Sequence, residues 1–124
     1  MDSHLRKRSP LLITVLAVLV LALAAFLAVS LLARGPRRLV QQLGDRRLQV
    51  RDQAYRQLRN RADWFATDAL LNGLRAEKPL VRSRCALLLS EQKTPRAFAP
   101  VIGLLDDPEP AVRLSAIKAV AQFG

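Results

Sequence analysis

The chain is nearly empty of the residues that carry covalent and metal chemistry. Among its 124 residues there is one histidine, His4, and one cysteine, Cys85. A lone cysteine excludes an intrachain disulfide. A lone histidine in the N-terminal tail excludes a histidine-based metal cluster or catalytic triad in the remainder. Tryptophan and tyrosine also occur once each, and aromatics are 5% of the chain, too few to interleave as base-stacking platforms along a nucleic-acid groove. There is no glycine-rich phosphate loop and no pair of carboxylates that spacing singles out. No catalytic residue, metal ligand or cofactor is expected.

Acidic residues are scarce too: 10 against 20 Lys and Arg, a formal charge of +10. That average conceals two different polymers. Residues 11–33, LLITVLAVLVLALAAFLAVSLLA, carry no charge, and as a helix they reach about 34 Å, against a bilayer hydrocarbon core of roughly 30 Å. The pattern predicts a transmembrane helix at 11–33 in contact with the lipid bilayer, preceded by a basic tail at 1–10 and followed by a linker at 34–36. Ser9 reads as its N-cap, Pro10 as its first helical residue and Gly35-Pro36 as its stop.

A cleaved signal peptide is the competing reading, with Arg6-Lys7-Arg8 as the basic region and Ala22-Leu23-Ala24 as a small-residue cleavage site. Signal cores run about 7–15 apolar residues, whereas this one continues to Ala33, so length favours an uncleaved anchor. No cysteine near the segment offers a lipoprotein site. The flanks are balanced, Arg6, Lys7 and Arg8 against Arg34, Arg37 and Arg38. They do not decide orientation by the positive-inside rule. A tail with three cations and a free amine resists translocation, which points to an inside N-terminus and an extracytoplasmic remainder.

From Arg37 onwards the sequence repeats. Val50-Arg51, Val81-Arg82 and Val112-Arg113 are each 31 residues apart, and Leu43, Leu74 and Leu105 precede the valines by seven. Ala54, Cys85 and Ala116 follow them by four, and Leu58, Leu89 and Val120 by eight. Valine, small residue and apolar residue lie along one helical stripe that must face a neighbour. In that slot Cys85 reads as a packing residue. Each unit is expected to hold two helices, about Arg37–Gly44 and Leu48–Arg61, Asp68–Ala76 and Pro79–Glu91, Ala97–Leu105 and Pro110–Phe123. The units run approximately 37–67, 68–98 and 99–124. Pro79 and Pro110 open second helices, where proline forgoes no hydrogen bond. Trp64-Phe65 reads as part of the connection between the first two units, packed between them, with a membrane-facing or partner-facing contact as the alternative.

Residues 104–124, LLDDPEPAVRLSAIKAVAQFG, resemble a HEAT repeat of the short bacterial kind, also called the phycobilisome-lyase type. LLNGLRAEKPLVRSRCALLLSEQ and LVQQLGDRRLQVRDQAYRQLRN resemble it progressively less, and the likeness covers residues 37–124. It implies an all-α fold, an α-solenoid of about three stacked helix pairs after the membrane helix. It also implies a structural ladder of turn aspartates and helix arginines, pairing Asp45 and Asp107 with Arg51, Arg82 and Arg113. Ala76 stands at the aspartate position of the middle repeat, beside Glu77, and interrupts that ladder.

The ends differ. The second helix of the first repeat is mostly polar, as a capping repeat should be, whereas the last helix is apolar on two sides. It reads as an internal repeat that expects further C-terminal repeats or a partner over its final face. Lys and Arg outnumber Asp and Glu by eight to three in residues 37–67 and six to three in 68–98, and stand at two to three in 99–124. Solvated helix faces and juxtamembrane cations that meet anionic lipid account for this gradient. The sharper alternative is a groove for an acidic protein or nucleic acid, with Arg56, Arg59, Arg84 and Lys118 projecting from second helices.

The function expected is therefore a membrane-anchored, non-catalytic scaffold that binds a protein partner along the solenoid. A bilin-lyase-like enzyme of the same repeat type and a basic solenoid for nucleic acid are the alternatives. HEAT-type metal-dependent hydroxylases carry His-Glu pairs that this chain lacks.

Overall fold

The structure is a computed structural model that describes residues 2–124, with side chains from Ser9 onwards. His4, Arg6, Lys7 and Arg8 lie outside the residues whose side chains are described. The described chain is all-α, with six helices: α1 (Asp2–Gln42), α2 (Leu48–Arg59), α3 (Trp64–Gly73), α4 (Pro79–Glu91), α5 (Phe98–Gly103) and α6 (Pro110–Phe123). It divides into two units, one ending at Leu32 and the other Ala33–Gly124. The division falls one residue before the uncharged run ends.

The first unit is helix throughout its described length, and its large apolar side chains from Leu11 to Leu32 are exposed. It supplies most of one helix long and apolar enough to cross a membrane, with mean hydropathy 3.1 over its most apolar window. The Thr14 hydroxyl donates to the carbonyls of Pro10 at 2.6 Å and Leu11 at 2.9 Å. Its polar group is thereby satisfied within the helix.

Both punctuation marks read for this helix are corrected. Ser9 is not an N-cap and Pro10 not a first residue, because α1 begins at Asp2. Gly35-Pro36 is not a stop and residues 34–36 are not a linker, because α1 runs through them to Gln42. A proline inside a helix forfeits one hydrogen bond and clashes one turn back, at about 3 kcal/mol. At position 36 that loss is offset by packing: the Pro36 ring is fully buried, and Val40 and Leu43 in the following turns are buried with it. The last turns of α1 are thus the first helix of the first repeat.

The second unit stacks helix pairs. α3 packs on α4 and α5 on α6 within repeats, while α2, α4 and α6 lie side by side across them. The core follows the 31-residue register. Leu43, Leu74, Val81 and Val112 are buried, as are Ala54, Cys85, Ala116, Leu58 and Leu89. Val50, Leu105 and Val120 are only partly covered. α4, with a repeat on either side, buries Ser83, Ala86, Leu88 and Ser90 in addition. Across α6, by contrast, Leu114 and Ile117 stay 54% and 57% exposed, the uncovered face expected of the last helix.

Several helix limits differ from those read in the sequence. α3 starts at Trp64 rather than Asp68, so Trp64-Phe65 is its first turn and not a connection. The cause is a cap: the Asp63 carboxylate accepts from the Ala66 N–H at 3.0 Å, satisfying a donor that the helix end leaves free. α2 ends at Arg59 rather than Arg61. There the Gln92 side chain, one repeat on, donates to the carbonyls of Leu58 at 2.9 Å and Arg61 at 3.0 Å. The first helix of the third repeat is a short α5 flanked by 3-10 turns at Pro95–Ala97 and Leu104–Asp106.

Within the helices, close approach is marked by Gly73. A Cβ on Gly73 would stand 2.8 Å from Cγ1 of Val40 and closer still to the Cys85 sulfur. Gly73→Ala should lower stability by about 1–3 kcal/mol, the usual result of overpacking. Gly103, with nothing within 4 Å of a built Cβ, is the control: Gly103→Ala should be neutral or stabilise by up to about 1 kcal/mol. Chemical unfolding of both variants in one detergent compares them.

Candidate functional site

The second helices α2, α4 and α6 present one side of each repeat to a common surface, so residues 31 apart recur along it. Arg56, Leu87 and Lys118 are one such row, and Gln53, Arg84 and Ser115 another. Within this surface lies an open groove of about 570 Å³ lined by residues of all three helices. Leu80 and Leu87 make its apolar floor, Ala111 and Ser115 keep the α6 side low, and Asp52, Arg56 and Arg84 carry its charge.

Of the four cations read as a partner-binding face, the groove brings together Arg56 and Arg84. Arg59 and Lys118 are exposed but do not line it. Arg84 is held over the ring of Tyr55, its guanidinium carbon 5.9 Å from the ring centroid, a cation–π contact. Among the described residues Arg56 makes no ion pair. Arg59 is engaged elsewhere, its Nε 3.2 Å from Glu91, in a solvent-exposed pair of small energetic weight.

Tyr55 and Glu91 were not singled out by sequence reasoning, yet they organise one wall. The Tyr55 hydroxyl donates to Glu91 Oε1 at 2.8 Å. Burial, reinforced by this bond, pushes the phenol up to about 12, so it stays a protonated donor at neutral pH. The available signal was Tyr55 as the only tyrosine, standing on the face that carries Arg56 and Arg59; its partner 36 residues away had none. Cys85 lies beneath this surface, fully buried. Burial raises its thiol to about 12, and it presents no thiolate nucleophile.

Of the aspartates and arginines expected to form a ladder, Asp107 and Arg82 meet. The Asp107 carboxylate does not bind Arg113 of its own repeat. It accepts from Arg82 of the preceding repeat, Nε at 2.9 Å and Nη2 at 3.0 Å. It also accepts from the N–H of Glu109 at 3.0 Å. The pair is sheltered, with side chains 13% and 5% exposed. The remaining Nη1 of Arg82 donates to the carbonyls of Ala76 at 2.7 Å and Glu77 at 2.9 Å. Arg113 repeats that contact one unit later, with the carbonyls of Asp107 and Pro108 at 2.7 and 3.2 Å. Each of these arginines closes its own turn, and Arg82 also clamps the next one.

That direction explains the first repeat. Arg51 is the counterpart of Arg82, and the residue that would meet it as Asp107 meets Arg82 is Ala76. Alanine offers no carboxylate, and the buried Nε of Arg51 has no hydrogen-bond partner. Asp45 turns instead to Arg47, accepting from its backbone N–H at 2.8 Å and its Nε at 3.2 Å. The Asp45–Arg51 rung is therefore absent. Ser90 and Gln122, whose side chains are hydrogen-bonded at 2.5 Å, stand one repeat after Arg59 and Glu91, so a second set of rungs changes from charged to neutral along the stack.

The Arg82 guanidinium, with the Glu109 N–H, holds the Asp107 carboxyl below its ordinary 3.8. A carboxylate lowered by folding adds stability above its unfolded value, and that contribution disappears as pH falls through the folded one. Asp107→Ala should cost about 3 kcal/mol at pH 7 and remove part of the wild-type loss of stability below about pH 4. Ala76→Asp should gain about 1 kcal/mol by giving Arg51 its acceptor. Thermal unfolding of the repeats between pH 2 and 7, followed by circular dichroism, checks both.

No curated protein is similar enough to this chain to be matched. Residues 36–121 match the family profile described as HEAT repeats, a span that opens at the buried Pro36 and ends within α6. Stacked helix pairs, a 31-residue register and that match agree: the chain belongs to the HEAT-repeat family.

Proposed function

We propose that this protein is a membrane-anchored HEAT-repeat scaffold that binds an acidic segment of a protein partner and performs no catalysis. The observation that carries the reading is the groove of α2, α4 and α6, in which Arg56 and Arg84 flank a floor of Leu80 and Leu87. Apolar side chains of a partner gain by covering the leucines. Acidic ones gain by meeting two arginines opposed by only Asp52.

An uncleaved anchor at residues 11–33 is supported by the length of the uncharged run and by the exposure of its side chains. The three cations of the tail favour an N-terminus inside and the repeats on the extracytoplasmic side. Within the family, the 31-residue period supports the short bacterial, phycobilisome-lyase type as a likeness of repeat. The buried, protonated Cys85 supports a binding role over nucleophilic chemistry. No cofactor is assigned.

Affinity capture of the detergent-extracted protein tests the reading. A stoichiometric partner should be recovered, and Arg56→Glu with Arg84→Glu should weaken its binding about tenfold or more. Lys118→Glu, outside the groove, should leave it unchanged. Equal capture by the wild type and the double variant would refute this choice of surface. Resistance of the chain to alkaline carbonate extraction checks the anchor separately.

A further inference from the structure

The 31-residue register extends beyond the core and fixes the level of the α2–α3 corner. First helices of successive repeats run parallel: Gly73 of α3 meets Val40 of α1, and Arg37, Val40 and Gln41 share a small cleft with Ala69, Asn72 and Gly73. One repeat separates Ala33 from Trp64, so the N-terminus of α3 stands level with Ala33, the last residue of the uncharged run. The same level is marked from the other side by Arg61, whose guanidinium is 3.9 Å from a Cβ built on Gly35.

Trp64, the only tryptophan of the chain, is 62% exposed at the first position of a helix. It packs edge to face on Phe65, with ring centroids 5.4 Å apart. Arg37 and Arg38, three and four residues on from Arg34 and so on the same side of α1, are exposed, as is Arg34. Asp63 is the acid of the corner, and it is occupied: it pairs with Arg61 at 2.9 Å and caps Ala66. The three arginines of α1 therefore keep their charge for an outside partner.

We propose that the α2–α3 corner is a second membrane contact, with Trp64 seated at the lipid–water interface and Arg34, Arg37 and Arg38 on the phosphates of anionic headgroups. The proposal rests on residues 11–33 being a membrane anchor. Given that, covalent connection puts Arg34 at the edge of the hydrocarbon, and within the repeats the register pairs Ala33 with Trp64. An amphipathic indole gains at that depth, with its ring against acyl chains and its N–H towards water. Cations near an anionic surface gain as well. Both preferences meet on one corner, and charge complementarity selects acidic phospholipid over a zwitterionic surface.

The lone tryptophan reports on its own position. The full chain is reconstituted into phosphatidylcholine vesicles with and without phosphatidylglycerol, each carrying a lipid whose quencher lies near the headgroup. The comparison protein combines Trp64→Phe with Gln122→Trp and reports from the last helix. Trp64 should be quenched by the shallow lipid and protected from aqueous iodide, more so with phosphatidylglycerol, while the reporter at position 122 should show the reverse. Arg34→Gln, Arg37→Gln and Arg38→Gln together should abolish the difference between the two lipid compositions. If Trp64 is as open to iodide as the reporter at 122 while the chain resists carbonate extraction, the contact is overturned and the anchor stands. Release of the chain by carbonate would overturn both.

Discussion

Everything in the repeats depends on how closely helices can approach along a line of small residues. Ala54, Cys85 and Ala116 stand at the same position of three successive second helices and are fully or nearly fully buried. Gly73, with no side chain, lets the sulfur of Cys85 and the methyl of Val40 close over it. A larger side chain at any of these points would push helices apart and forfeit dispersion contacts over the whole interface, because packed interiors have no slack to absorb it. Leucines and valines at flanking positions then fill the space that this spacing defines. The register of the sequence is the record of that constraint.

Close packing alone leaves helices free to slide, and the polar rungs remove that freedom. Arg82 is tied to two consecutive turns of the stack: its own through the carbonyls of Ala76 and Glu77, and the next through Asp107. Gln92 does the same at the opposite end of the repeat, closing the carbonyl end of α2 from one unit away. Both contacts are made by groups sheltered from water, where a bond left unmade is expensive. They favour one offset between repeats over its neighbours. Where the pattern fails, at Arg51 and Ala76, the interface is the one nearest α1. Its second helix, α2, buries only Ala54 and Leu58, so the first repeat is held by fewer restraints of either kind.

How much of this was legible in the sequence follows from which interactions are periodic. The core stripe, the small slot and the proline-led starts of α4 and α6 repeat every 31 residues, and each was readable because repetition averages out local ambiguity. The ladder was readable in its members and not in which of them meet. Asp107 lies six residues before Arg113 and 25 after Arg82, and spacing along the chain does not choose between them. Only the stacked geometry shows that Arg113 spends its reach on main-chain carbonyls. The start of α3 was missed because its cap, Asp63, has no counterpart in the other repeats, and a signal that occurs once carries no register. The groove was half legible: charge pointed to Arg56 and Arg84, while the Tyr55–Glu91 wall joins residues from two helices that no sequence spacing relates.

Pro36 shows where local rules and tertiary packing part company. Read locally, Gly35-Pro36 ends a helix, and in an isolated chain the lost hydrogen bond would make that the favoured outcome. In the folded repeats the proline ring has become core, together with Val40 and Leu43, and burial of three apolar side chains outweighs one missing bond. The consequence is that a single helix joins two kinds of sequence in succession. Its uncharged portion owes its helicity to residues that favour helices and to hydrogen bonds closed within the segment. Its last turns owe theirs to the packing of an amphipathic face. The change from one to the other falls at Ala33 and Arg34, where charge first returns to the sequence.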